Sequence, residues 1–172
     1  KLQEIELMVT AVDNKLLDHH LNLLSRAGFH SKIVDILPLS LANAHWAVPR
    51  KSNTNLPYII IHVGSKVCTM VIDGNLTPFY FRTIYTESSK VTSLISESSS
   101  TDDTIQSFKD EIIKTLDFYS QSHGNSGFSG ILLSGYLSHS VDWMEFLKKG
   151  TGDDVVPLDL VGACGSDVED SP

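Results

Sequence analysis

Residues 58 to 85 constrain this chain more than any other stretch. Three strand-like runs follow one another with almost nothing between them: Tyr58 to Val63 (YIIIHV), Val67 to Ile72 (VCTMVI) and Leu76 to Ile84. Connections this short allow antiparallel pairing only, because a parallel crossover needs about a dozen residues. Asp73-Gly74 suits a tight hairpin turn, since both residues tolerate positive φ. Pro78 has no N–H to give to a ladder, which predicts that the third run lies at a sheet edge.

Downstream the pattern changes period. Ile105, Phe108, Ile112, Leu116 and Tyr119 recur at helical spacing, with Asp102 or Asp103 placed to cap the helix. GILLS (residues 130 to 134) is a short apolar run of the buried, parallel type. A further helix is expected near Ser138 to Lys148, with Val141, Met144 and Leu147 inward, then a last strand from Val155 to Leu158. The order β-β-β-α-β-α-β defines a ribonuclease-H-like core in an α/β chain with a mixed sheet.

Upstream, residues 4 to 12 (EIELMVTAV) alternate as a strand does, and Asp13 or Asn14 offers a capping oxygen. Leu17, Leu21 and Leu24 then mark a helix that Gly28 can end, with His20 on its core side or edge and no chemistry assigned to it. Residues 31 to 37 (SKIVDIL) are expected to form a second strand, and Pro38 opens a short helix, PLSLANAHWA. The expected organisation is a small βαβα subdomain over residues 1–50, the ribonuclease-H-like subdomain over 57–160 and an acidic tail over 161–172. The stretch VPRKSNTNLP has a linker's composition, and the Ser-rich residues 86–104 read as a flexible connection.

The formal charge of −8, from 13 basic and 21 acidic residues, leaves no electrostatic footprint for nucleic acid. The seven histidines and two cysteines make no spaced cluster of metal-site type. Cys68 sits mid-strand and Cys164 in a Gly-rich tail; a reducing compartment is the natural reading, with a single disulfide left open. No apolar run approaches the roughly 20 residues of a membrane-spanning helix, and no leader pattern opens the chain. Because the sequence begins at Lys1 and enters a strand pattern at once, it is expected to be a segment of a longer protein.

The ribonuclease-H-like core is the repeating unit of the actin-like ATPases, and the local sequence narrows the resemblance. DHHLNLLSRAGFHSKIVDILPLSLANA resembles the stretch of the type IV pilus assembly family PilM in which a helix ends in Ala-Gly, a strand reaches an Asp and a Pro-led helix follows. FKDEIIKTLDFY, ILLSGYLSHSVDWMEFLKKG and DVVPLDL are similar to that family's carboxy-terminal half, so the resemblance spans roughly residues 5 to 160. The cytoplasmic part of the type II secretion protein GspL shares the architecture, and the sequence does not separate the two.

This resemblance implies where a nucleotide would sit. ATP-binding relatives carry an acid, two or three glycines and a threonine in the first meander, whose amides face phosphate while the acid handles magnesium or water. Here the corresponding residues are His62, Gly64, Ser65, Lys66 and Thr69, and the family's paired glycines after the fourth strand have become Gly135-Tyr136. Glu111 and Lys114 match helix positions that lie near ribose and base in relatives, and read from the sequence alone as a solvated pair. Gly64, Ser65, Lys66 and Gly135 are therefore the candidate residues of a degenerate nucleotide site, with no catalytic residue and no metal ligand expected.

Two functions stay open on this reading. One is a non-catalytic scaffold of a pilus or type II secretion inner-membrane platform, cytoplasmic and tied to the membrane through partners. The resemblance implies a membrane-anchored PilN-like partner, gripped with the help of Leu2 to Val48, and a secretion ATPase. Trp46, Phe79, Tyr80 and Phe81 are then candidate interface anchors or core residues. The other is an ATP-binding or ATP-hydrolysing protein, with ATP and magnesium as cofactors, whose site is completed by an amino-terminal half.

Overall fold

A computed structural model describes residues 8–47, 56–73, 79–85, 103–124 and 127–159. The chain divides into two compact units, Lys1–Ile36 and Leu37–Pro172. The Ser-rich stretch as far as residue 102, the linker from 48 to 55 and the acidic tail lie outside the described residues.

In the first unit, α1 (Asn14–Arg26) begins at Asp13, whose carboxylate accepts the Lys15 N–H at 2.7 Å. It ends where Gly28 takes a φ of +87° and the Phe29 N–H reaches back to the Leu24 carbonyl at 2.9 Å. A residue with a Cβ would resist that left-handed turn. The strands expected over 4–12 and 31–37 differ from the outcome: residues 8–12 and 31–36 belong to no sheet, and residues 4–7 lie outside the described residues. Alternation gives a segment a strand's side-chain pattern, but a strand persists only when its N–H and C=O groups find a neighbouring backbone. His20 is also exposed rather than turned to a core, its Nδ1 lying 2.8 Å from the Leu16 carbonyl.

The second unit is built on five strands: β1 (Tyr58–Val63), β2 (Val67–Asp73), β3 (Tyr80–Tyr85), β4 (Gly130–Gly135) and β5 (Val155–Pro157). Their spatial order is β3-β2-β1-β4-β5, with β1–β2 and β2–β3 antiparallel and β1–β4 and β4–β5 parallel. β3 is an edge strand, as Pro78 predicts, although Pro78 itself lies outside the described residues. Helix α3 (Asp103–His123) carries the chain from β3 across to β4, and α4 (Val141–Thr151) connects β4 to β5. This is the mixed α/β, ribonuclease-H-like order expected from the sequence.

Strand periodicity sorts the core into two faces. Ile59, Ile61, Val63, Cys68, Met70, Ile72, Ile131 and Leu133 pack with Phe108, Ile112, Leu116 and Tyr119 of α3 and Trp143 and Leu147 of α4. The opposite face, Ile60, Val71 and Leu132, is covered by Leu41 and Ala42 of α2 (Leu37–Ala47). Helix α2 was expected to complete a small subdomain ending near residue 50; it belongs instead to the second unit, because its apolar stripe is what the second sheet face lacks. The Trp46 indole N–H donates to the buried Asp73 carboxylate, tying the end of α2 to the end of β2. Cys68 is fully buried, and burial pushes its thiol up to about 12, so it packs as a small apolar residue.

Candidate functional site

β1 and β4 run parallel and end together, since His62 stands beside Ser134 and Val63 beside Gly135. The antiparallel partner β2 turns back at the same level, so the sheet changes direction here. Open α/β sheets bind ligands at such a place, beyond the carboxyl ends of adjacent parallel strands. Gly64, Ser65, Lys66 and Gly135 all come to this one end of the sheet, although Gly135 is far from the others in the chain.

The hairpin turn is tight. Gly64 donates its N–H to the Val67 carbonyl at 2.9 Å, and a Cβ on Gly64 would lie 3.2 Å from that oxygen. Ser65 and Lys66 form the tip and are exposed. Gly135 has a stricter role: its φ is +77°, and a Cβ there would sit 2.2 Å from the Val63 carbonyl oxygen. No side chain fits so close to the backbone of β1. The next N–H, that of Tyr136, donates to the same oxygen at 2.9 Å. Tyr136 is 57% exposed, so its side chain is not packed into the sheet.

Between the two glycines lies a pair of side chains that local sequence does not reveal. His62 Nδ1 is 3.1 Å from Ser134 Oγ, and across β2 the cross-strand neighbour of His62 is the buried Thr69. Burial lowers the pKa of His62 below its ordinary value, which favours the neutral imidazole at pH 7. A neutral imidazole engaged by a hydroxyl can exchange hydrogen bonds. It lacks the negative charge with which an acid at this position would draw magnesium, a cation that prefers oxygen ligands. Among the described residues no group of three His, Cys, Asp or Glu side chains could hold a metal ion.

The pairing left a faint signal in the sequence. IIIHVG and ILLSG are apolar strands that each carry one polar residue just before a glycine, and the parallel register sets those two residues side by side. Arg82 left a clearer one: in YFRTIY it shares a phase with Tyr80 and Ile84, both packed against the core. An inward arginine requires a partner, and Glu111 of α3 supplies it, while Thr115 Oγ1 accepts a second guanidinium N–H at 3.1 Å. Glu111 is therefore not the solvated residue expected of it, whereas Lys114 is exposed. Of the aromatic candidates, Tyr80 packs against the core under α3 and Phe79 against the α2 side, while Trp46 and Phe81 stay partly exposed.

No protein-family model matches the sequence, and no curated protein is similar to it. Solved structures are similar. A chain of the PilM-PilN type IV pilus biogenesis complex shares the fold with a TM-score of 0.61 at 15% identity, over 86% of this chain and 48% of that one. The ethanolamine utilization protein EutJ from Carboxydothermus hydrogenoformans is similar at 12% identity with a TM-score of 0.46, over 79% of this chain and 54% of that one. The chain thus spans about half the length of the solved chains it matches. Its fold is actin-like. In particular, it is the fold of a chain in the PilM-PilN complex.

Proposed function

We propose that the chain is a non-catalytic, actin-like binding domain of a type IV pilus assembly or type II secretion inner-membrane platform. It works on the cytoplasmic side and docks a membrane-anchored PilN-like protein and a secretion ATPase. The observation that carries this reading is the likeness, over 86% of the chain, to a chain from a complex named for PilM and PilN. The chemistry at the strand ends supports it. Where ATP-binding relatives hold an acid, this chain holds His62, half-buried and engaged by Ser134.

A second reading rests on one specific observation: Gly64, Ser65, Lys66 and Gly135 converge at one end of the inner strands. In that reading Lys66 and the backbone amides of Ser65 and Lys66 at the hairpin tip take phosphate, ATP supplies the charge they neutralise, and another half of the site closes over it. Calorimetric titration separates the two. The scaffold reading expects no saturable heat from ATP with magnesium, and saturable binding of a peptide from the cytoplasmic end of a PilN-like protein. ATP binding tighter than about 100 μM that disappears in Lys66→Ala would overturn it. Gly135 is unsuitable for this test, because replacing it disturbs β1 itself.

A further inference from the structure

We infer that β3 is a self-association edge, through which two copies of this chain join their sheets in antiparallel fashion. The hydrogen-bond phase of the sheet identifies which groups face outward. Gly64 donates to Val67, which makes that a bonded pair, and antiparallel ladders alternate bonded and non-bonded pairs. His62–Thr69 and Ile60–Val71 are then bonded across β1 and β2, and Val63 is left to turn its carbonyl the other way, where Tyr136 takes it at 2.9 Å. In β2 it follows that Cys68, Met70 and Ile72 point their backbone groups at β3, engaging Ile84, Arg82 and Tyr80. Phe81, Thr83 and Tyr85 therefore present N–H and C=O groups at the outer edge, and among the described residues no strand pairs with them.

Natural sheet edges are usually blunted by charge, proline or a bulge. β3 has one charge, Arg82, and it is drawn inward onto Glu111. Its outward-phase residues are two aromatics and a threonine, with Tyr85 85% exposed and Phe81 and Thr83 also exposed. The strand is complementary to itself in one register. Centred on Thr83, antiparallel pairing sets Thr83 against Thr83 of the partner subunit and Phe81 against Tyr85 of the partner subunit, with the reciprocal aromatic pair on the other side. All three are bonded pairs in the phase just derived, so every outward N–H and C=O of the strand is used. Arg82 then lies opposite Ile84 of the partner subunit. Sliding the centre to Arg82 would set two guanidinium groups directly opposite each other, so charge selects the first register. The choice of a second copy over an unrelated strand rests on this match of bonding phase, aromatic pairing and charge in one and the same alignment.

The test is a charge swap at the centre of the contact. Sedimentation equilibrium of the full 172-residue chain is expected to show a concentration-dependent dimer. Thr83→Lys and Thr83→Glu each place like charges in contact and should weaken that dimer by roughly five- to tenfold. Thr83 is exposed, so far-UV circular dichroism should be unchanged in both. Mixing the two variants in equal amounts should restore a dimer at least as tight as the unsubstituted one. A wild-type chain that stays monomeric up to about 500 μM overturns the inference. So does a dimer indifferent to both substitutions, or a mixture that fails to recover; these outcomes would assign the edge to another partner or leave the dimer elsewhere.

Discussion

Helices α1 and α3 both repeat apolar residues at three- and four-residue spacing: Leu17, Leu21 and Leu24 in one, Phe108, Ile112, Leu116 and Tyr119 in the other. In α3 each of these is buried; in α1 no residue is buried, and Leu16, Leu23 and Leu24 are openly exposed. The difference lies in what each unit contains. Helix α3 meets a sheet face already lined by Ile59, Ile61, Met70 and Leu133, whereas the first unit has no strand among its described residues to offer α1 such a surface. An amphipathic pattern states which face of a helix would gain from burial. Whether anything covers that face depends on elements elsewhere in the chain or on another chain.

That contrast can be broken or sharpened by substitution. The largest effect is expected at the close approach of β4 to β1: Gly135→Ala would drive a Cβ to 2.2 Å from the Val63 carbonyl oxygen. A loss of more than about 4 kcal/mol in urea unfolding, or no folded protein at all, is the expected result. Next comes Ile112→Ala under α3, where an emptied core site should cost about 2–5 kcal/mol. An unchanged melting curve for that variant would remove α3 from the core and with it the contrast.

Smaller effects probe the polar contacts. Glu111→Gln leaves Arg82 without its carboxylate at a half-exposed site, and about 1 kcal/mol or less is expected once solvent screening is counted. For His62 the sign follows from linkage. Burial holds its folded pKa below the ordinary value, so as pH falls below about 6.5 the unfolded chain takes up the proton first. The contribution is complete above that point and is lost as pH falls toward the lowered folded value. Urea midpoints measured between about pH 7.5 and pH 5 should therefore drop less steeply for His62→Gln than for the unsubstituted chain. The smallest change is expected in α1, where Leu24→Ala should move stability by no more than about 0.5 kcal/mol. A cost at Leu24 equal to that at Ile112 would show that α1 is covered in solution after all.

Much of the second unit was legible in the chain. The runs YIIIHV and VCTMVI became β1 and β2 with nearly the expected ends, and GILLS became a parallel central strand. Long apolar runs bounded by turn residues leave few alternatives when three of them follow in succession. The first unit was less legible, because SKIVDIL reads as a strand and forms none, its last residue instead opening α2. Helix α2 was correctly expected to be a helix, but the sheet it packs on could not be read from its own residues.

The same division runs through the site. Composition and spacing by themselves determined the order of elements in the second unit, the edge position of β3 and the hairpin that carries Gly64, Ser65 and Lys66, since these follow from periodicity, turn chemistry and the limits of proline. Tertiary structure alone decided that His62 meets Ser134, that Gly135 lies too close to Val63 for any side chain, and that Glu111 belongs to Arg82. Each of those facts joins residues far apart in the chain. Local sequence encodes the conformation of a segment, whereas the register between distant strands is set by the burial and hydrogen bonding of the whole sheet.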